Sequence, residues 1–333
     1  MIHFYASGRH TYTFSRFVKR WAPQLAEQST VRAYSQIDLS RAVEPGLHVL
    51  TDFERLLGPE RRFVQRLHRL LSSRPETHAV LGDVGAWLDR HSLLVELHRR
   101  GLNDFRSYRL DEMGPDVTYP VFLRWANEHG ASLGEPAADR AELDERVAQH
   151  VGRRRHLLRR HLIAVEQVDA RSPDGLFRKY SAMRIGDAVV PRHVLFSDQW
   201  ITKNPDLASE ALAREERAFV DTFHDDEPFP HAARVREVFD IAGMDYGRID
   251  YSVLDGRMRV WEINSNPVIG ATGLHPTRHA SQRRSADAVT EALLALVPPP
   301  APTGAAALHW PRPGRWAWAG VAAASRRYDP HRR

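Results

Sequence analysis

Asp250, Glu262 and Asn264 stand close together in the stretch Tyr246 to Pro267, YGRIDYSVLDGRMRVWEINSNP. Oxygen donors of this kind, with no cysteine or histidine beside them, suit Mg²⁺ or Mn²⁺ holding phosphate, and not zinc. They can act together only if the backbone sets them on one face. Asp255-Gly256 reads as the turn of a β-hairpin: Ile249, Tyr251 and Val253 alternate before it, and Val260, Trp261 and Ile263 follow it. Residues i and i+2 of a strand share a face, so Glu262 and Asn264 point together, while Trp261 and Ile263 point oppositely into an apolar layer.

Loop length decides whether Asp250 joins them, because a slip of one residue turns every side chain over. A two-residue turn at Asp255-Gly256 pairs Asp250 with Trp261 and sends it to the wrong face. A three-residue loop, Leu254-Asp255-Gly256 with Gly256 left-handed at a bulge, pairs Asp250 with Val260 and makes Glu262 its diagonal neighbour. Diagonal neighbours lie roughly 7–8 Å apart, about the span that one or two hydrated magnesium ions bridge. The competing reading is an exposed polar hairpin, which Ser265-Asn266-Pro267 and the Gly-rich loop beyond it argue against.

The elements that must position this hairpin are legible as patterns. Through residue 105, short apolar runs alternate with amphipathic stretches. Strands are expected at Ile2-Tyr5, Leu47-Thr51 and His78-Leu81. Helices are expected through Phe14, Val18 and Trp21, through Leu56, Phe63, Leu67 and Leu70, and from Ala86 to Arg100. This is β/α alternation, which reads as a small parallel sheet. Tyr119 to Arg124 is a short apolar strand ending in a cation. Pro136 to His161 reads as a long charged helix, closing on the basic run Arg153-Arg154-Arg155 and Arg159-Arg160. Leu162 to Asp169 reads as a strand running into the polar loop Arg171 to Gly175. Phe177 to Phe196 forms a second hairpin turning at Gly186-Asp187, and helices follow at Leu207-Phe223 and His231-Ala242. From about Pro298 the chain is Pro-, Ala- and Arg-rich, and is expected to be a disordered or loosely attached tail, with Trp310, Trp316 and Trp318 available to dock.

Composition narrows the classes. A chain of 333 residues, 42% apolar and 27% charged, has room for two or three lobes around sizeable cores. There is no cysteine, which excludes disulfides, thiolate zinc sites and cysteine nucleophiles. The N-terminus carries no basic-then-apolar signal and no apolar run approaches the ~20 residues needed to cross a bilayer, so a cytoplasmic setting without membrane partners is expected. A net charge of +5 and a pI near 9.7 suit a nucleotide, or nucleic acid. Of 47 Lys and Arg residues only Lys19, Lys179 and Lys203 are lysines. There is no Walker P-loop, dinucleotide fingerprint, H-E-x-x-H or G-x-S-x-G, so hydrolase readings have no support.

The pattern D…E-I-N-S-N-P closing a hairpin resembles the metal-binding end of the ATP-grasp superfamily, which includes D-alanine–D-alanine ligase, glutathione synthetase and the ribosomal-protein glutamate ligases. The resemblance spans about residues 75 to 295. It implies a mixed α/β and α+β fold: a Rossmann-like pre-ATP-grasp domain (1–105), the nucleotide-binding and catalytic lobes (106–297) and the tail (298–333). It also implies that Asp250, Glu262 and Asn264 hold metal ions, two in number, on the phosphates of ATP. Arg124 stands where the family has a phosphate-binding lysine in a Tyr/Phe-Pro-Val-x-x-Lys pattern, and a guanidinium can take that role as a bidentate clamp, though its shape differs. Asn127-Glu128-His129-Gly130 matches the mobile loop over the phosphates. Glu166, Gln167 and Val168 match the hinge that reads adenine, and Asp169 is the candidate ribose ligand. Ser181 occupies the usual position of an arginine aimed at the transferred phosphate or the substrate carboxylate, a departure for which Arg178 or Lys179 are candidate substitutes. Lys203 is a further candidate contact.

The function so implied is that of an ATP-dependent ligase: a carboxylate is activated as an acyl phosphate for attack by an amine or thiol, the substrates being a small molecule, a peptide or a protein side chain. Two alternatives stay open, a noncatalytic ATP-binding or regulatory protein of this fold, and a basic nucleic-acid binder using Arg153 to Arg160.

Overall fold

The computed structural model describes residues 1–38, 40–126, 132–151, 161–200, 209–223, 229–270, 275–300, 303 and 306–309. The expected loop Asn127 to Gly130, the basic run Arg153 to Arg160, Lys203, and Trp310, Trp316 and Trp318 lie outside the described residues.

The first strand, β1 (Ile2–Ala6), is buried along its whole length and pairs in parallel with β2 (Ser29–Ala33) and β4 (Gly46–Leu50). With β5 (His78–Leu81) beside β4, the sheet runs β2-β1-β4-β5. Helices α1 (Tyr12–Arg20) and α2 (Gly58–Leu71) connect these strands, as the 3.6-residue spacing of their buried Phe14 and Phe17, and Phe63, Val64, Leu67 and Leu71, requires. Sequence patterning missed β2, because four of its five residues are only half-buried. The helix expected from Ala86 begins instead at Arg90: Asp89 caps α3 (Arg90–Arg99), its carboxylate accepting the Ser92 N–H at 2.8 Å.

Beyond α3 a three-stranded antiparallel sheet is ordered β6-β8-β7, from β6 (Ser107–Arg109), β7 (Val121–Trp125) and β8 (Leu162–Glu166), with α4 (Arg140–Val151) between β7 and β8 in the chain. Next comes an antiparallel sheet of four strands, β10-β9-β11-β12, formed by β9 (Phe177–Ile185), β10 (Ala188–Ser197), β11 (Tyr246–Leu254) and β12 (Arg257–Asn264). Helices α5 (Glu210–Asp221), α6 (Ala232–Ile241) and α7 (His279–Ala295) pack on it. Within 298–333, expected to lack fixed structure, β13 (Leu308–His309) pairs with β3 (Ala42–Val43) and Leu308 is buried.

Residues before 105 do not keep a core to themselves. One apolar cluster joins Tyr5, Leu50, Phe53 and Leu67 to Ile249, Tyr251, Val260 and Ile263. A second joins Phe4, Phe14 and Leu47 to Met183, Tyr246 and Val289. The parallel sheet and the four-stranded sheet are therefore fixed against one another by burial of apolar surface, the largest favourable contribution to folding. The three-stranded sheet has its own cluster around Val121, Leu123, Leu143 and Leu162.

Candidate functional site

The hairpin β11–β12 brings Asp250 and Glu262 together by a route other than the three-residue loop. Leu254 pairs with Arg257, so the loop is the two residues Asp255-Gly256, both with positive φ (51° and 70°). That is the primed turn matching the twist of a hairpin, with Gly256 meeting no steric penalty and Asp255 tolerating the conformation. The register then changes between Tyr251, opposite Val260, and Asp250, opposite Glu262. Trp261 is the extra residue of a β-bulge. It leaves the layer of Ile263, where patterning put it, and stacks on Phe105 at 5.1 Å between ring centres, its indole N–H donating to Ser252 Oγ at 3.0 Å. Asp250 and Glu262 are thus direct cross-strand neighbours, with Cβ atoms about 4.5–5.5 Å apart rather than the diagonal spacing.

A row of directly paired residues crosses the whole sheet: His193 on β10, Ser181 on β9, Asp250 on β11 and Glu262 on β12. Ser181 Oγ donates to Asp250 Oδ1 at 2.5 Å. Arg248, two residues back on the same face, donates through Nε to the same oxygen at 3.0 Å, and Lys179 Nζ stands 3.5 Å from Oδ2. Glu262 Oε2 accepts from Arg90 Nη2 at 2.5 Å and from Arg124 Nη2 at 2.9 Å. At an effective dielectric near 20, unit charges 4 Å apart interact by about 4 kcal/mol. Two carboxylates this close would repel on that scale, and the four cations around them remove the conflict. Burial, and then the neighbouring Arg90, lower the Arg124 guanidinium to a pKa of about 10, which leaves it charged at neutral pH. Four cations against two carboxylates make this a site with surplus positive charge, suited to a polyanion.

Asn264 follows on the same face as Glu262, opposite Arg248, and its Oδ1 accepts the Asn266 N–H at 2.9 Å. The next residues are tied to the N-terminal part of the chain. Glu54 accepts from the Ser265 N–H at 2.8 Å and from its hydroxyl, Ser265 Oγ accepts from Phe53 N–H at 2.9 Å, and Asn266 bonds Thr13 and the His10 carbonyl. The chain is thus anchored where it leaves the hairpin.

The other expected residues that the structure describes have the following partners. Arg178 is next to Lys179 on β9 and so faces the opposite side of the sheet, where Asp174 and Glu215 take its guanidinium and hold its pKa above the usual range. Glu166 is buried at the end of β8. Burial alone would raise its pKa, but bonds from Tyr108 (2.6 Å), Thr118 N–H (3.1 Å) and Arg106 hold it below the ordinary value. Its carboxylate has a structural job, and the Gln167 N–H is spent on Pro120 O at 2.9 Å. Val168 leans on the cluster of Leu94, Phe105 and Ile163. Asp169 is exposed and bonded to Arg171 of its own loop, which lowers its pKa.

Three residues of the site, Arg248, Arg90 and His193, were not expected from the sequence, and a fourth, Ser181, was expected in no positive role. Arg248 was within reach, since the period of two puts it beside Asp250. Ser181 was noticed only as a departure. Arg90 and His193 reach the site through tertiary structure and carry no local signal.

Among the described residues no three His, Cys, Asp or Glu side chains form a metal cluster of their own. Two carboxylates and an amide oxygen are nonetheless a fitting donor set for Mg²⁺, which keeps waters and shares phosphate oxygens instead of filling a protein cage.

Comparison with known proteins supplies a fold. The chain is similar to the crystal structure of D-alanine–D-alanine ligase from Bacillus anthracis complexed with ATP, at 12% identity over 89% of this chain and 98% of that one, with a TM-score of 0.50. An ATP-grasp RimK domain protein from Sphaerobacter thermophilus is 13% identical over 86% of this chain and 99% of that one, with a TM-score of 0.45. No family model matches the sequence, and no curated protein matches it. The chain has the ATP-grasp fold, with α/β and α+β parts. No helix among the described residues is long and apolar enough to cross a membrane.

Proposed function

We propose that the chain is an ATP-dependent ligase that joins a carboxylate to an amine or thiol through an acyl phosphate. The observation that carries this reading is the opposed pair Asp250 and Glu262 on one face, with Asn264 beyond them and Arg90, Arg124, Arg248 and Lys179 around them. Asp250, Glu262 and Asn264 would hold Mg²⁺, which when bound supplies charge neutralisation at the phosphates of ATP. Arg124 and Lys179 face the same space and would orient the distal phosphates. A carboxylate oxygen of the substrate attacks the γ-phosphorus, the bond to the bridging oxygen breaks and ADP leaves. The amine nitrogen then attacks the carbonyl carbon, the C–O bond to phosphate breaks, and the nitrogen loses its proton to water. Such transfer needs positioning and charge stabilisation more than a protein nucleophile, which suits a site of Asp, Glu, Asn, Arg and Lys. A binding module of the same fold has little use for two opposed carboxylates, and this favours the enzyme.

The test is ADP release from Mg-ATP in the presence of pooled amino acids and peptides. Wild type releases ADP in proportion to added substrate, and Asp250→Asn or Glu262→Gln lowers the rate by roughly 100-fold or more with the fold intact. Unchanged turnover in both variants would remove the site from the reaction.

A further inference from the structure

On β10 the row of side chains ends at a group to which the ligase reading gives no task. The strand bulges at Arg192, between Pro191, opposite Ala182, and His193, opposite Ser181. The Arg192 side chain goes into the interior and is 1% exposed. Its Nη1 donates to Ser285 Oγ on α7 at 2.5 Å, while its buried Nε has no hydrogen-bond partner among the described residues. Glu216, whose field it feels, is already bonded by two nitrogens of Arg278, at 2.9 and 2.6 Å. His193, half-buried beside it, lies in the combined field of Arg248, Arg192, Arg278 and Lys179.

Four cations thus contribute positive field at one imidazole. Among the described residues two carboxylates bond them: Asp250 takes Arg248 and Lys179, and Glu216 takes Arg278. A buried guanidinium left without a counter-charge is strongly unfavourable. Proteins retain such groups where a ligand completes them, at the expense of stability in the ligand-free state. The planar fork of arginine matches the two oxygens of a carboxylate.

We propose that Arg192, with His193 and Arg248 beside it, is the seat of a substrate carboxylate on the β10 side of Asp250. Its role as the group to be activated rests on the ligase reading, whereas the anion site rests on the buried, incompletely bonded guanidinium. A carboxylate there keeps lone pairs free of the arginine fork and lies along the sheet from the phosphate-facing pair.

The test is thermal unfolding of the full chain in acetate, phosphate and chloride at matched ionic strength, with and without Mg-ADP, for wild type and Arg192→Met. In chloride the variant melts higher than wild type by roughly 2–4 °C, because an under-paired buried charge is gone and the volume is kept. Acetate raises the wild-type midpoint above that in chloride, and Arg192→Met loses this increment while both keep their Mg-ADP increment. If Arg192→Met does not fold, Arg192→Lys replaces it and loses most of the acetate increment, since the ammonium cannot fork. A lower midpoint in chloride with the acetate increment intact would make Arg192 a structural residue and overturn the proposal. A larger increment in phosphate than in acetate, abolished by the substitution, would overturn the carboxylate assignment. Loss of the Mg-ADP increment alone, with the acetate response as expected, would sink the ligase reading and leave the anion seat standing.

Discussion

Arg124 is where a single residue departs most visibly from the motif that the sequence resembles. Its guanidinium reaches Glu262 from β7 and shares that oxygen with Arg90. A lysine would present one compact charge there, whereas the guanidinium can bond Glu262 and still turn other N–H groups toward a phosphate. Truncation to Arg124→Ala is expected to weaken ATP at least tenfold more than AMP in equilibrium binding, because on the proposed reading Arg124 orients the distal phosphates. Equal weakening of both nucleotides would place Arg124 away from them. Residue types and spacing drew attention to the oxygen donors, and the family resemblance to this cation. Arg90 was not legible: 172 residues separate it from Glu262, and only the docking of α3 brings them into contact.

At the scale of elements, the site depends on how one hairpin counts its residues. Sequence alone called for an odd loop of three residues to put Asp250 and Glu262 on one face. The chain takes a two-residue turn and places the odd residue at Trp261, whose ring is held by Phe105 and Ser252. That choice depends on Phe105, a residue distant in sequence, which is why the local pattern could not reveal it. The turn still needs Gly256 at positive φ, and a Cβ there would meet nothing within 4 Å. Gly256→Val is therefore expected to cost about 1–2 kcal/mol through conformation alone, read as a lower denaturant midpoint. Gly256→Asn should cost less than half as much, because asparagine tolerates the left-handed region. Equal loss in both variants would contradict this assignment of the turn.

The whole molecule carries the site on its four-stranded sheet, where α3 and the three-stranded sheet each bring an arginine to Glu262. Arg90 comes from α3, Glu54 and Phe53 fix Ser265 behind β12, and two apolar clusters cross the junction. The β/α alternation before residue 105 was readable from periodicity, as were both hairpins. The shared cores were not, because burial across a junction leaves no periodic mark that distinguishes it from burial within a lobe. On the proposed reading a substrate carboxylate attacks the γ-phosphoryl group, and its oxygen can be followed into the product. Amino acids and dipeptides labelled with ¹⁸O in their carboxylates are incubated with the protein and Mg-ATP, and the released phosphate is analysed by mass. An acyl phosphate intermediate predicts one ¹⁸O in each phosphate formed with ADP; ADP formation accompanied by unlabelled phosphate would contradict it.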